Sequence, residues 1–84
     1  MFQIEHTSHS SKFLKKADTI LRERVIKKIE LLKDEPVPRD AKSLAGEQAS
    51  FRVRVGDYRI LYKVKWNERV ILIANIDKRA RVYN

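Results

Sequence analysis

Hydrophobic and polar positions alternate most regularly in FRVRVGDYRILYKVK, residues 51–65. On each side of a central Gly-Asp pair the alternation has the period of two that is typical of a half-buried β-strand. Glycine at the first position of a two-residue loop favours a type II′ turn, which fixes the register of the two strands. The pattern therefore predicts a β-hairpin. Its predicted cross-strand pairs are Val55 with Tyr58, Arg54 with Arg59, and Arg52 with Leu61.

One face of the predicted hairpin carries mainly cations. The register places Arg52, Arg54, Arg59 and Lys63 on it, and the two strands contain no carboxylate. Because like charges directly opposite one another destabilise a sheet, this arrangement favours a polyanionic partner that would offset the repulsion. A guanidinium can bind a phosphate through two parallel hydrogen bonds. The competing interpretation is a solvated charged face that prevents edge-to-edge aggregation.

The N-terminal part of the chain predicts one strand and two helices. Residues 2–6 alternate as a strand, and the hydroxyl residues that follow suit the start of a short helix with apolar Phe13, Leu14 and Ala17. Asp18 is positioned to cap a second helix that runs to about Lys33 and ends before two prolines. The predicted core positions of that helix are Leu21, Val25, Ile29 and Leu32.

The C-terminal part predicts a loop, the hairpin and one further strand. Residues 36–50 read as a loop with room for one helical turn, and residues 66–68 as a second tight turn. Residues 70–76, VILIANI, are almost continuously apolar, which is typical of a central strand covered on both faces. The order β-α-α-β-β-β predicts a single α+β domain over residues 1–84, with two N-terminal helices on one face of a mostly antiparallel, twisted sheet. The cationic face of the hairpin should be the open face, because burial beneath the helices would leave charges unpaired.

Composition adds a strongly basic balance. The 84 residues carry a net charge of +8, and residues 36–84 contain eleven bases and five acids. Such a field favours nucleic acid or an acidic protein as partner. With no cysteine and only His6 and His9 as imidazoles, we expect neither a metal site nor another cofactor. The sequence has no apolar run of about 18 residues and no signal-peptide pattern, so we expect no membrane span and a cytoplasmic location.

The stretch LAGEQASFRVRVGDYRILYKV, followed by an apolar strand and the closing DKRARVY, resembles the RelE toxins of the RelE/ParE superfamily. The resemblance extends from the first strand to Tyr83. It implies the toxin of a type II toxin-antitoxin pair, an endoribonuclease that enters the ribosomal A site and cuts mRNA without metal. The 2′-hydroxyl would attack its own phosphate and expel the 5′-oxygen. The implied partners are a cognate antitoxin, the ribosome and mRNA.

The resemblance also assigns roles to particular residues. It implies that Arg59 and Arg79 neutralise the phosphate and that Tyr83 stacks on a base or shares in proton transfer. The family often has lysine where this chain has Arg52 and Arg54. Since a guanidinium, with a pKa above ~12, exchanges protons poorly, Arg54 is a weaker base than a lysine would be. The implied catalytic residues are Arg54, Arg59, Arg79 and Tyr83, and the expected RNA phosphate ligands are Arg52, Lys63, Lys78 and Arg81.

Two other functions remain open at this point. A ParE-like protein would bind DNA gyrase and inhibit it without catalysis, but ParE relatives generally lack the full set of basic residues and terminal tyrosine. A plain RNA-binding module would use the same cations to contact phosphates, with an affinity that falls steeply as salt rises. That module has no use for Tyr83.

Overall fold

Two helices and five strands form the part of the chain that the computed structural model describes, residues 1–78. The predicted order β-α-α-β-β-β is confirmed, and β2 is an additional strand within the predicted loop. In chain order the elements are β1 (Gln3–His6), α1 (Ser8–Lys16), α2 (Thr19–Leu32), β2 (Lys42–Ser43), β3 (Ser50–Val55), β4 (Tyr58–Lys65) and β5 (Val70–Lys78).

The strands form one sheet in the spatial order β1-β5-β4-β3-β2. The pairs β2–β3, β3–β4 and β4–β5 are antiparallel, whereas β1 runs parallel to β5. A parallel neighbour needs a crossover connection, and the two helices supply it between β1 and the rest of the sheet. The sheet is therefore mostly antiparallel, as the sequence predicted.

Side-chain caps define both helices. The Thr7 hydroxyl accepts the Ser10 amide hydrogen at 3.2 Å, and an Asp18 carboxylate oxygen accepts that of Leu21 at 2.8 Å. Each cap satisfies an amide at a helix start that has no partner within the helix. At the end of α1, the Arg22 side chain donates to two backbone carbonyl oxygens. These caps set the sharp corner between α1 and α2.

The helices cover one face of the sheet. On α2 the predicted core positions Val25, Ile29 and Leu32 are buried, and Leu21 packs against the core at its rim. The Tyr62 hydroxyl donates to the Pro36 carbonyl oxygen at 2.7 Å, and burial raises the pKa of Tyr62. The buried hydrophobic residues of the strands are Val53, Val55, Ile60, Tyr62, Val64, Ile71, Ile73 and Ile76.

Two details of the prediction are wrong. The loop over residues 36–50 contains no helical turn, and Lys42–Ser43 instead pairs with β3. Strand β5 is an interior strand, but within residues 1–78 it is covered on one face only. Its open-face residues Val70 and Leu72 are half-buried, and Ala74 is exposed. Neither described helix is long and apolar enough to cross a membrane.

Candidate nucleic-acid interface

The β3–β4 hairpin has the register that the sequence predicted. Val55 lies opposite Tyr58, Arg54 opposite Arg59, and Arg52 opposite Leu61. Gly56 has a φ of +58°, the left-handed region that the first position of a type II′ turn requires. The alternation therefore places Arg52, Arg54, Arg59 and Lys63 on the face away from the helices, as expected. We call this surface of β2, β3 and β4, with the adjoining part of β5, the open face.

Directly opposed cations are concentrated at one end of the open face. Arg54 and Arg59 form one cross-strand pair. Lys42, which the sequence placed in a loop, lies opposite Arg52 and forms a second. Opposed residues in a ladder have Cβ atoms about 4.5–5.5 Å apart, where like charges destabilise the sheet. Four cations therefore occupy two neighbouring rows, with Lys63 on the same face.

A carboxylate from β5 partly neutralises this cluster. Asp77 lies opposite Arg59, and the Arg59 Nε donates to its Oδ1 at 3.2 Å. The Asn75 side-chain amide donates to the other carboxylate oxygen, also at 3.2 Å. Both charged side chains remain about one-third exposed, 30% for Arg59 and 36% for Asp77. Arg59 is thus oriented by a partner and still accessible to an incoming phosphate.

A β-bulge brings Asp77 to that position. The β4–β5 register shifts between Leu61 and Tyr62, and Ala74 has no opposite residue. The Thr7 hydroxyl donates to the Ala74 carbonyl oxygen at 2.7 Å, which satisfies this backbone group. Without the shift, the pairing at the start of β5 would continue to place Ile76 opposite Arg59. The bulge therefore moves Ile76 into the core and Asp77 onto the open face.

The structure places Lys78 on the other side of the sheet from Arg52 and Lys63. Lys78 lies opposite Tyr58, which places it on the helix-covered side of the sheet at the end of β5. Arg52 is half-buried, and Arg54 and Lys63 are exposed. The predicted roles of Arg79, Arg81 and Tyr83 fall on residues outside the described range.

The open face suits binding of anions better than classical acid-base chemistry. Residues 1–78 contain no cluster of three His, Cys, Asp or Glu side chains that could hold a metal ion. His6 lies opposite Ile73 on the helix side, hydrogen-bonded through Nδ1 to the buried Ser10 hydroxyl, and burial lowers its pKa. Cations are the most numerous charged groups on the described open face, so this face favours electrostatic stabilisation of a phosphate.

The sequence pattern does not identify Lys42 or Asp77 as part of the site. The strand that carries Lys42 is two residues long, too short for any periodicity. Asp77 was visible only as the residue after an apolar run, and its role depends on the bulge.

The fold corresponds to that of RelE toxins. The isolated E. coli RelE toxin superposes with a TM-score of 0.86 at 19% identity, covering 96% of this chain and 87% of that one. The archaeal RelE in the RelE-RelB complex from Pyrococcus horikoshii OT3 gives 0.84 at 30% identity, covering 96% and 98%. This is the RelE-like toxin fold.

Sequence comparison gives the family. The family model described as ParE toxin of type II toxin-antitoxin system, parDE, matches residues 4–83. A Methanocaldococcus jannaschii protein that carries the name toxin RelE1 is 41% identical over 58 residues. That match covers 66% of this chain and 64% of the relative, less than two thirds of the relative's length. The chain belongs to the RelE/ParE superfamily of type II toxin-antitoxin toxins.

Proposed function

We propose that this chain is a ribosome-dependent endoribonuclease that cleaves mRNA in the A site and is neutralised by a cognate antitoxin. The observation that carries the proposal is the pair of opposed cation rows on the open face, Lys42 with Arg52 and Arg54 with Arg59. Opposed like charges destabilise a sheet, and a phosphate bound between them would offset that repulsion.

The proposed reaction is a transesterification within the RNA strand. The 2′-oxygen loses its proton, forms a bond to the adjacent phosphorus and expels the 5′-oxygen, which takes up a proton. The products are a 2′,3′-cyclic phosphate and a 5′-hydroxyl. Negative charge grows on the phosphoryl oxygens in the transition state, and fixed guanidinium groups stabilise it without reorganising.

The roles we propose for individual residues follow from this chemistry. Arg59 and Arg79 neutralise the phosphate, Arg54 assists them from the opposite strand, and Tyr83 stacks on a base or shares in proton transfer. Arg52, Lys63 and Arg81 bind neighbouring phosphates. Lys78 is assigned to RNA that passes the end of β5, because it lies on the other side of the sheet from Arg59.

The proposed antitoxin is an acidic protein. RelE proteins from P. horikoshii and E. coli form complexes with their RelB antitoxins, which supports an antitoxin partner for this chain. The net charge of +8 favours acidic residues in that partner. The complex should then loosen as ionic strength rises, and a complex indifferent to salt would contradict this part of the proposal.

Cleavage of mRNA on purified ribosomes with a filled P site and an empty A site tests the proposal. We expect the native chain to cut within the A-site codon and leave a cyclic phosphate. The product should be lost in Arg79→Ala and strongly reduced in Arg54→Ala. Lys27→Ala removes one charge from the exposed surface of α2 and serves as the matched control, with cleavage unchanged. Intact mRNA with folded native protein would overturn the proposal.

A gyrase inhibitor is the second candidate, because the family model that matches the chain is described by ParE. Its test is DNA supercoiling by purified gyrase. Inhibition of supercoiling without mRNA cleavage would favour this candidate. RNA binding with neither activity would favour a non-catalytic RNA-binding module.

A further inference from the structure

An aromatic and cationic cluster lies at the end of the sheet opposite the Arg54–Arg59 pair. Trp66, Phe2 and Arg69 form it at the β4–β5 turn, and we call it the Trp66 cluster. The Trp66 and Phe2 rings meet edge to face, with centroids 5.7 Å apart and planes at 85°. The Arg69 guanidinium carbon lies 4.9 Å from the Phe2 centroid. Lys65 is six steps along β4 from Arg59. At about 3.3 Å per step, the cluster is about 20 Å from the Arg54–Arg59 pair.

The two rings of the cluster differ sharply in exposure. Phe2 is 7% exposed and belongs to the core, whereas Trp66 is 51% exposed. Phe2 therefore closes this end of the core. About half of the Trp66 surface remains exposed to solvent. An exposed tryptophan held in place by a buried ring has the amphipathic, rigid surface that recognition sites use.

The backbone conformation of Arg69 is also energetically unfavourable for a residue with a side chain. Its φ is +59°, a left-handed conformation that costs a residue with a side chain about 1–2 kcal/mol and that glycine adopts freely. The chain nevertheless has arginine there, and its guanidinium lies over the Phe2 ring. The contact with Phe2 fixes this cation at the turn that carries Trp66.

The charges around the cluster favour an anionic ligand. Lys65 immediately precedes Trp66 and lies on the open face opposite Val70. Within residues 1–78, neither Lys65 nor Arg69 forms an ion pair with a carboxylate. Glu68 is the one acidic residue of the turn. An aromatic ring flanked by cations is the arrangement on which single-stranded nucleic acids stack their bases.

We propose that the Trp66 cluster is a second RNA contact, in which the Trp66 indole stacks on an unpaired nucleobase while Lys65 and Arg69 contact its flanking phosphates. The inference depends on the proposed function only for the choice of RNA as ligand. At 3.4 Å per stacked step, about six nucleotides span the distance between the cluster and the Arg54–Arg59 pair. A 12-nucleotide strand is therefore long enough to reach both.

Trp66 is the single tryptophan of the sequence, so its fluorescence reports on this site in the unmodified protein. We expect a 12-nucleotide oligoadenylate to quench the emission with the same midpoint that the anisotropy of the labelled strand gives. A duplex of the same length should quench far less, because its bases are already stacked. Trp66→Ala should weaken binding by about 5- to 100-fold, the loss of one base stack. Trp66→Phe keeps a ring and should lose less, and Glu68→Gln should bind more tightly.

Saturated RNA binding with unchanged Trp66 emission would overturn the inference. This measurement uses the native chain, so it does not depend on the folding of a variant. A change in emission with purified antitoxin but not with RNA would also overturn it. None of these readouts depends on cleavage. A protein that binds RNA through Trp66 and does not cut would therefore refute the proposed function alone.

Ribosomes then identify the source of the base. Binding of the native chain and of Trp66→Ala is measured on two kinds of programmed ribosome. One carries a message that ends at the A-site codon, and the other carries a message that extends 12 nucleotides beyond it. If Trp66→Ala weakens binding only with the longer message, the stacked base belongs to mRNA. Equal weakening with both messages assigns the base to ribosomal RNA. Equal binding of the variant and the native chain with both messages would contradict a role for Trp66 on the ribosome.

Discussion

Replacing Asp77 with asparagine should strengthen RNA binding by releasing Arg59. The Asp77 carboxylate accepts a hydrogen bond from the Arg59 Nε at 3.2 Å and lies opposite Arg59 in the β4–β5 ladder. The amide of asparagine keeps the size of the side chain and its hydrogen-bonding capacity but removes the negative charge. Arg59 is then free to bind a phosphate through its whole guanidinium.

The magnitude follows from the geometry. A phosphate bound on the far side of Arg59 would be ~6 Å from the carboxylate. At that distance their repulsion, screened at 0.1 M salt, is about 0.4–1.5 kcal/mol for an effective dielectric constant between 80 and 20. Its removal should tighten binding by about 2- to 13-fold. Because the charge of Arg59 is then no longer shared with Asp77, the slope of log K against log salt should also steepen by up to about 0.7. Folding stability should fall by only about 0.5–1 kcal/mol, because the ion pair is partly exposed.

The assay is the anisotropy of a labelled 12-nucleotide RNA between 50 and 300 mM salt, with urea unfolding for stability. Asp57→Asn is the matched control, because it removes the same charge from the exposed hairpin turn and Asp57 does not pair with Arg59. We expect less than a twofold change and an unchanged salt slope for the control. Equal effects of the two variants, or an unchanged slope for Asp77→Asn, would refute the reasoning that Asp77 restrains a phosphate-binding arginine.

Three further predictions concern folding stability. Tyr62→Phe should lower the free energy of unfolding in urea by about 1–2 kcal/mol, because it leaves the half-buried Pro36 without the donor to its carbonyl oxygen; no loss would mean that water replaces the hydroxyl. Because burial lowers the pKa of His6 below its ordinary value of 6.5, the unfolded chain binds a proton that the folded chain does not. The folding stability that depends on neutral His6 should be fully present above about pH 6.5 and should fall as the pH drops below that value. His6→Gln should lower the dependence of Tm on pH between 7.5 and 5.5, and an unchanged dependence would contradict this. Gly56→Ala should lose at least about 1 kcal/mol, since its φ is +58° and the new Cβ would lie 3.1 Å from an Arg24 nitrogen; native stability in this variant would show that the turn relaxes freely.

Local patterns were sufficient for most of the fold. The Gly56 turn and the alternation around it predicted the β3–β4 register correctly, because the two strands are joined by a turn that fixes their pairing. The capping residues Thr7 and Asp18 likewise marked both helix starts. The cationic open face followed from these local rules, since burying the charges was the costly alternative.

The candidate site could be predicted only in part. The opposition of Arg54 and Arg59 required nothing beyond the hairpin. The second cation row depends on Lys42, whose two-residue strand exists because β3 offers it an edge to pair with. The Trp66 cluster joins Phe2 to a turn more than sixty residues later in the chain, and no periodicity relates the two segments.

Apart from β2, the sequence by itself determined the elements. It also determined the hairpin register and the sign of the charge on the open face, because each depends on neighbours within a few residues. Only the tertiary structure decided which side chains lie opposite these charged residues. The bulge at Ala74, whose carbonyl oxygen accepts the hydroxyl of Thr7 from the other end of the chain, shifts β5 by one position. Because side chains alternate with a period of two, that single shift exchanges the faces of Ile76 and Asp77 and gives Arg59 a carboxylate partner.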